Sequence, residues 1–532
     1  MHDIKNLQFF DSNVCVGKVG QKHVLQRWKT EDILAEMDRC GVAGALVYHG
    51  LAKVYSPQYG NRLLEEELKK SKRLAGCWIV MPHHMGDFPE PLEVVKQMKE
   101  KGIVAARILP KTNRYNPDER TIGQLLSAIE NAGFPLIVDA SEIEFGQLSD
   151  ILARHPALTV VLQGLSWGME RKLLPVMDEF INLCTDFSTL QSNEMVEIAY
   201  ERYGADRLIF GSGMPYRSLG AARAFIDYAR IPDEAKILIA GGNLMRLTGL
   251  ELPEQKLPDQ DEVTLQAAQG LPLTIPVYDS HTHLIEENGR TGGGRAFLRG
   301  DIDHMINAYR AIGINKMSIA PWVGIEGDSE AGNEVAQRAI RKYPDEVVGY
   351  VTIDPNYITD VEGEARKWYS EKGFRGMKPY YWTSRTRYTD EVYRPWFKMA
   401  NRMRLYALLD PGAYSDAQYL EDIETLASLY PDISLFMDHA GRSFEVAVEY
   451  GRLAKKYPNI YLQLTFTTVT WGVIEYFVKE VGVEKILFGT DSPMRDPRPQ
   501  LGWLAYANIS YEDKKAIFGG NMIKIMERYC GI

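Results

Sequence analysis

Cysteine is scarce in this sequence, basic residues are not in excess, and long apolar runs are missing. The five cysteines form no CxxC pair and no disulfide framework, which is typical of a reducing compartment. A net charge of −10 argues against nucleic acid as a partner, because phosphate binding favours a basic surface. No apolar run reaches the length of a membrane span, and the N-terminal MHDIKNLQFFDSN lacks the apolar core of a signal peptide. We therefore expect a cytoplasmic protein with a small-molecule substrate and with no membrane or nucleic-acid partner.

The two halves of the 532-residue chain repeat the same landmarks in the same order. The heptad FDSNVCV near the N-terminus matches YDSHTHL just past the middle, and FGSGMP matches FGTDSP near the end of each half. The separation between matched residues rises only from 268, for Asp11 and Asp279, to 278, for Asn243 and Asn521. Loops can absorb such small steps, so we infer a tandem duplication.

Each half alternates short β-rich runs with amphipathic stretches. In the second half, helical patterns such as DIDHMINAYRAIG separate eight β-rich runs: VYDSH, INKMSIA, VVGYVTI, FRGMK, LYALLD, ISLFMD, NIYLQL and KILFG. This alternation over roughly 250 residues predicts an α/β fold of two tandem (β/α)8 TIM barrels. The predicted domains are residues 1–251 and 275–532, joined by an exposed linker at 252–274 that has room for one short helix.

Four polar side chains of the second half lie at the ends of predicted strands. His281 and His283 close the first strand two residues apart, so both face the same side of it. His439 ends the sixth run and Asp491 the eighth, and the reacting groups of such barrels lie at the C-terminal ends of the strands. Imidazoles and a carboxylate around one point predict a divalent-metal centre, most naturally Zn²⁺ with Mn²⁺ as the second choice.

On these motifs the second half resembles the amidohydrolase superfamily. The similar branch contains aminocarboxymuconate-semialdehyde decarboxylase, resorcylate decarboxylases and lactone hydrolases. The motifs that carry the resemblance are DSHTH, GFRGMK, DHAG, ILFGTDSP and FGGN. They cover about residues 275–530, and a degraded form covers about residues 8–250.

The resemblance implies a role for each polar residue at the barrel mouth. His281, His283 and Asp491 would bind one divalent ion, His439 would be a catalytic acid–base group, and Asp491 would also accept a proton from the attacking water. The family commonly has another histidine after the fifth strand, where this chain has Asp410, a further candidate ligand. A site without metal is an alternative, because some lactone hydrolases of this branch work without a metal ion. Purely structural roles are the other alternative, since aspartates suit turns and a buried histidine can be hydrogen-bonded.

Basic and aromatic residues follow the fourth predicted strand, in the segment KPYYWTSRTRY. Lys378, Tyr380, Arg385 and Arg387 are candidate substrate-binding residues, because arginine forks pair with carboxylates and the rings suit a planar substrate. Trp322, after the second strand, is a candidate pocket wall. We expect a small, carboxylated and possibly ring-containing substrate, although the two arginines also suit a solvated surface.

The first half has lost all four of the proposed catalytic groups. In the order His281, His283, His439 and Asp491, their counterparts are Asn13, Cys15, Gly164 and Gly213. We predict a pseudo-enzyme half that pairs internally with the second barrel as a covalently attached dimer partner. A homo-oligomer stays open, as does an emptied barrel that binds a regulator or substrate through His83, His84 or Arg107.

The expected activity is metal-dependent hydrolysis of an amide, ester or lactone bond in the second barrel, with Asp491 moving the proton and His439 polarising the carbonyl. The same residues support an alternative, non-oxidative decarboxylation of an aromatic or unsaturated acid, in which Asp491 or His439 delivers the proton. A non-catalytic binding or scaffold protein is the third reading. The intact histidines and aspartate of the second half favour an enzyme.

Overall fold

Two compact units, Met1–Gln260 and Asp261–Ile532, make up the chain. Each contains eight parallel strands in sequential order, β1 to β8 and β9 to β16. The eighth strand segment of each unit returns to the first through a parallel bridge, Val14 with Met214 and Thr282 with Ser492, so each sheet nearly closes. The predicted fold of two tandem (β/α)8 TIM barrels is confirmed. The computed structural model describes residues 7–19, 23–166, 168–251, 260–287, 289, 297–371 and 373–530.

The first barrel alternates strands and helices throughout. Its strands are β1 Phe9–Val16, β2 Val42–His49, β3 Leu74–Ile79, β4 Ile103–Ile108, β5 Leu136–Asp139, β6 Val160–Gln163, β7 Leu183–Asp186 and β8 Leu208–Ile209. Its helices are α1 Thr30–Cys40, α2 Gly50–Val54, α3 Pro57–Leu68, α4 Pro91–Glu100, α5 Glu119–Ala132, α6 Phe145–Arg154, α7 Glu170–Glu179, α8 Met195–Tyr203, α9 Leu219–Asp227, α10 Asp233–Ile237 and α11 Asn243–Thr248, with a π-helical turn at Leu238–Gly242.

The second barrel has all eight predicted strands: β9 Tyr278–Thr282, β10 Lys316–Ile319, β11 Val347–Val351, β12 Phe374–Met377, β13 Tyr406–Leu409, β14 Ser434–Met437, β15 Ile460–Leu464 and β16 Ile486–Phe488. Its helices are α12 Glu262–Ala268, α13 Ile302–Ile312, α14 Trp322–Glu326, α15 Ser329–Lys342, α16 Val361–Ser370, α17 Tyr381–Ser384, α18 Arg394–Met403, α19 Asp416–Leu429, α20 Phe444–Lys456, α21 Val473–Glu480, α22 Pro497–Ala505, α23 Tyr511–Lys515 and α24 Asn521–Glu527. Two 3₁₀ turns, Glu391–Tyr393 and Val483–Lys485, and a π-helical turn at Ala516–Gly520 complete it.

The helix α12 lies inside the predicted linker and packs on the second barrel. Asp261 caps the helix and accepts a hydrogen bond of 2.6 Å from Lys514 Nζ, and Thr264 Oγ1 donates to the carbonyl of Ala505. The rest of the predicted linker, residues 252–259, lies outside the described residues. Among the described residues we find no helix with the length and hydrophobicity that a membrane span requires.

The repeated Asp-Ser pair has a structural purpose that both halves share. In the second barrel Asp279 Oδ1 accepts the backbone N–H groups of His281 and Thr490, each at 3.0 Å. In the first barrel Asp11 Oδ1 accepts the corresponding N–H groups of Asn13 at 3.0 Å and Ser212 at 2.9 Å. The aspartate thus joins the end of the first strand to the end of the eighth, which explains why it persists in both copies.

Candidate active site of the second barrel

Every predicted catalytic residue follows or ends a strand at the C-terminal mouth of the second barrel. His281 lies in β9 and His283 follows it, Asp410 follows β13, His439 follows β14, and Asp491 follows β16. The backbone N–H of Asp491 donates to the carbonyl of His281 at 2.8 Å, which holds the first and eighth strand ends together. The structure therefore brings together side chains that are as many as 210 residues apart, Asp491 and His281.

His281, His283 and Asp491 form one compact group of three possible metal ligands. The two Nε2 atoms lie 3.1 Å apart, and Asp491 Oδ1 lies 3.0 Å from His283 Nε2 and 3.6 Å from His281 Nε2. All three side chains are buried, with at most 3 % of each residue exposed. The predicted convergence of these residues is what the structure shows.

The hydrogen bonds of the two rings fix which nitrogen carries the proton. His283 Nδ1 lies 2.8 Å from the carbonyl oxygen of Ala320, which can only accept, so Nδ1 donates. His281 Nδ1 lies 3.1 Å from the Asp438 carboxylate and donates to it. Burial lowers the pKa of each ring to about 3, so both are neutral and both Nε2 atoms keep a lone pair.

The donor set therefore fits a divalent cation. Two imidazole lone pairs and a carboxylate oxygen lie 3.0 to 3.6 Å from one another, an arrangement that a positive charge among the three atoms stabilises. Neutral imidazoles with a carboxylate are common ligands of Zn²⁺ and of other first-row divalent ions. The Nδ1 partners Asp438 and Ala320 orient the rings, as is usual for histidine ligands.

A second polar group lies beside the first and consists of Asp410, Asp438 and His439. His439 Nε2 is 3.4 Å from Asp410 Oδ2, and its Nδ1 is 2.7 Å from Thr465 Oγ1. Burial raises the pKa of Asp410, but the hydrogen bond and charge of His439 outweigh it and hold that pKa below its ordinary value. Asp410 is thus a partner of His439, and its predicted role as a metal ligand stays a prediction.

Two buried ionic residues of the site are not singled out by the sequence patterns. Asp438 is fully buried and orients His281, and the signal for it is its place in the DHAG motif. Arg495 is 3 % exposed, contacts Asp491 through Nη1, and donates from Nε to Thr467 Oγ1 at 2.7 Å. The signal for Arg495 is the arginine at the same place in the first half, Arg217.

Lys378 is buried next to these groups, as its position after the fourth strand predicts. Its Nζ lies 3.5 Å from His281 Nε2 and 3.8 Å from Asp438 Oδ2. Burial lowers its pKa, and the charges of Asp438 and Asp410 offset that effect only in part. Tyr380 lies near it, with 5.7 Å between Nζ and the ring centre.

Aromatic side chains line the same mouth. The Trp322 ring meets the His283 ring edge to face at 5.1 Å, where a pocket wall was expected. Phe466 packs edge to face on His439 at 5.2 Å and lies under the Arg495 guanidinium at 4.9 Å. A planar substrate would therefore meet rings on two sides of the polar cluster.

The two predicted substrate-binding arginines do not join this cluster. Arg387 binds Asp422 with two nitrogens and also pairs with Glu421 at 2.8 Å. Arg385 is exposed, and its guanidinium lies 5.3 Å from the centre of the Trp382 ring. The carboxylates of α19 already neutralise Arg387, so substrate binding by either arginine stays a prediction.

Comparison with known proteins finds similar solved structures and a matching family model. One similar solved structure is a dihydroxybenzoic acid decarboxylase from Polaromonas sp. JS666 with bound manganese and the inhibitor 2-nitroresorcinol. The two sequences are 17% identical, the match covers 48% of this chain and 97% of that chain, and the TM-score is 0.39. Another is 5-carboxyvanillate decarboxylase from Sphingomonas paucimobilis, which is 17% identical in sequence. That match covers 46% of this chain and 100% of that chain, with a TM-score of 0.37. No curated protein matches the sequence.

A family model is more informative, because it covers both halves. The model described as amidohydrolase matches residues 26–250 and 278–525, which together are most of the chain. The donors of the second barrel, two histidines and an aspartate, are those that a divalent ion requires. The chain therefore belongs to the amidohydrolase family of enzymes.

Proposed function

We propose that the second barrel removes the carboxyl group from a small aromatic or unsaturated acid without oxidation. The observation that carries this proposal is the buried contact between Arg495 and Asp491. One Asp491 oxygen faces the histidine nitrogens and the other is held by a guanidinium, so neither oxygen is free to accept a proton from water. Hydrolysis needs Asp491 to accept a proton from water, whereas decarboxylation needs it only as a ligand.

The charges at the barrel mouth suit an anionic substrate. Lys378 and Arg495 are cationic, and Asp410, Asp438 and Asp491 are anionic. With a divalent ion held by the two histidines and Asp491, the cluster carries one more positive than negative charge, which favours a monoanion such as a carboxylate. When bound, the metal, Zn²⁺ or Mn²⁺, supplies the Lewis-acid charge that holds substrate oxygens.

The chain's own residues supply binding and proton transfer. Trp322 and Phe466 flank a planar ring, and Lys378 pairs with the negative charge of the substrate. As CO₂ leaves, the carbon that held it keeps the electron pair and must take up a proton. His439 is the proposed donor of that proton: Thr465 Oγ1 orients its ring through Nδ1, and its Nε2 lies at the mouth beside Asp410 Oδ2.

Hydrolysis of an amide, ester or lactone is the second candidate function. A cavity of about 10 Å³ adjoins Lys378 and Tyr380, enough for about one water molecule, which is the nucleophile of such a reaction. The same cluster would then bind a cyclic or ester substrate in place of a free acid.

The two reactions release different products, so one experiment separates them. The purified chain, loaded with Zn²⁺ or Mn²⁺, is incubated with panels of aromatic and unsaturated acids and of lactones and esters. Decarboxylation gives CO₂ and a product with one carboxylate fewer, whereas hydrolysis releases a proton at constant carbon count. His439→Asn should lower kcat by about 10²-fold or more, since general acid–base groups contribute on that scale. The exposed His304→Asn variant is the matched control. Proton release from lactones, with no CO₂ from any acid, would show that the second barrel is a hydrolase and not a decarboxylase.

A further inference from the structure

The first barrel carries an arginine at the position that contacts the catalytic aspartate in the second. Arg217 and Arg495 each follow Gly213 and Asp491, respectively, by four residues in the matched segments GSGMPYR and GTDSPMR. A Cβ atom added to Gly213 would lie 2.6 Å from Arg217 Nη1. The guanidinium thus takes the space where the aspartate side chain would begin, and a cation stands at the former ligand position.

Among the residues that the structure describes, no carboxylate contacts the Arg217 guanidinium. Within the described part of the chain it makes no hydrogen bond and no ion pair, and its Nε atom is buried without a partner. Burial lowers its pKa more than the charges of Asp186 and Tyr48 raise it. Arg217 as a whole is only partly buried, but its Nε is buried without a hydrogen bond, which is costly, so this arrangement favours an external anion.

A second arginine contacts Asp139, a carboxylate whose charge also acts on Arg217. Arg107, at the position of Lys378, is 1 % exposed and donates to Asp139 Oδ1 at 3.0 Å and to Gln163 Oε1 at 2.7 Å. Its Nε is also buried without a hydrogen-bond partner. Lys53 Nζ lies 3.5 Å from Asp139 Oδ2 and adds a third cation.

The loss of one catalytic side chain leaves room for a ligand. Gly164 stands where the second barrel has His439, and among the described residues a Cβ atom there would meet only Asp139 Oδ1, at 3.9 Å. The base of the imidazole position is therefore open. Other polar groups lie at the strand ends of this barrel, where Asn13 Nδ2 lies 3.4 Å from Ser188 Oγ.

The balance of charge favours an anion with one negative charge. Arg107, Arg217 and Lys53 carry three positive charges at this mouth, against the carboxyl groups of Asp139, Asp186 and Asp11. Burial raises the pKa of Asp186 to about 7, so near neutral pH this carboxyl offsets less than a full charge. Guanidinium forks match the two oxygens of a carboxylate.

We propose that the mouth of the first barrel binds a small organic carboxylate between Arg217 and Arg107, in the space left by the lost histidine and aspartate. Since the histidines and the aspartate that would hold a metal are replaced there, the site binds the anion without transforming it. The first half is then a carboxylate-binding module joined to an enzyme.

Calorimetric titration of the full chain with 4-bromobenzoate, acetate and inorganic phosphate tests this proposal. We expect Arg217→Met to weaken one carboxylate-binding event at least tenfold, and Arg217→Lys to weaken it less because the charge remains. Arg171→Met, an exposed arginine in α7, is the control and should bind as the unmodified chain does. Equal carboxylate binding by Arg217→Met and the unmodified chain would overturn the proposal, and so would binding of phosphate alone.

A crystal soak keeps the test independent of the folding of any variant. Crystals of the unmodified chain in 4-bromobenzoate should give an anomalous bromine peak at the mouth of the first barrel, beside Arg217. A peak only in the second barrel, at a concentration that saturates the titration, would show that the first mouth binds no carboxylate. That result would leave the proposed function of the second barrel untouched.

Discussion

At the scale of single residues, the second barrel holds two catalytic side chains in a backbone conformation that the first barrel gives to glycine. His439 has φ 55° and Asp491 has φ 61°, whereas the matched Gly164 and Gly213 have φ 70° and 79°. The left-handed region costs an L-residue roughly 1–2 kcal/mol and costs glycine nothing. In the first barrel no catalytic side chain is needed at these two positions. Glycine there removes the backbone strain, which explains the change at both.

Substitution at His439 tests this strain directly. His439→Ala and His439→Gly both remove the imidazole, but only glycine adopts φ 55° freely. We expect the glycine variant to exceed the alanine variant in free energy of unfolding by about 1 kcal/mol, the reverse of the usual order. Urea unfolding of both variants at matched metal content measures the difference. An alanine variant as stable as the glycine variant would mean that the backbone is not strained there.

At the scale of elements, the GGN motif of each half ends the barrel in the same way. Asn243 Nδ2 donates to the carbonyls of Ala205 and Leu208, at 2.8 and 2.9 Å. Asn521 Nδ2 makes the same pair of bonds in the second barrel, at 2.8 and 2.9 Å. The two π-helical turns bring the asparagine over the eighth strand, because the preceding glycines let the turn pack against the backbone at the first strand. The Cβ atom of a residue at Gly241 or Gly519 would lie within 2.5 Å of a carbonyl oxygen.

Removal of the asparagine amide should therefore loosen the eighth strand. Asn521→Ala removes two hydrogen bonds, to the carbonyls of Val483 and Ile486, which costs about 2 kcal/mol of unfolding free energy. Asn243→Ala should cost the first barrel a similar amount, and the exposed Asn508→Ala should change neither. Hydrogen exchange of β16 and β8 amides, followed in each variant, locates the loss. Protection that stays unchanged in β16 of Asn521→Ala would contradict this role.

Much of this architecture could be predicted from the sequence, because it depends on local patterns and on repeated landmarks. Each β-rich run of the second half became a strand, and His281 and His283 face one point because strand residues two apart share a face. Asp438 and Arg495 were not predicted, since their roles depend on partners distant in the chain or in a neighbouring loop. The pairing of Arg387 with Asp422 was not predicted either, because Asp422 is distant in the chain and the spacing of residues after the fourth strand gives no sign of it.

At the scale of the whole molecule, the duplication separates two ways of placing positive charge at a barrel mouth. In the second barrel, neutral imidazoles and a carboxylate fit a metal ion, which would supply the positive charge. In the first barrel, arginine side chains such as Arg107 supply it directly. Groups of three or more possible ligands occur, among the described residues, in the second barrel alone. The role of the first barrel as an internal dimer partner stays a prediction.

Metal stoichiometry tests this division. The full chain, purified in the presence of Zn²⁺ or Mn²⁺, should hold about one equivalent by mass spectrometry, since one ligand set is complete. His283→Ala should lose most of it, because one imidazole nitrogen of three convergent donors disappears. The matched change in the first half, Cys15→Ala, should leave the metal content unaltered. Burial raises the pKa of the Cys15 thiol to about 12, so the thiol stays protonated. Among the described residues it also belongs to no group of possible metal ligands. Two equivalents per chain, or a loss of metal in Cys15→Ala, would mean that the first barrel also holds an ion and that its arginines do not replace one.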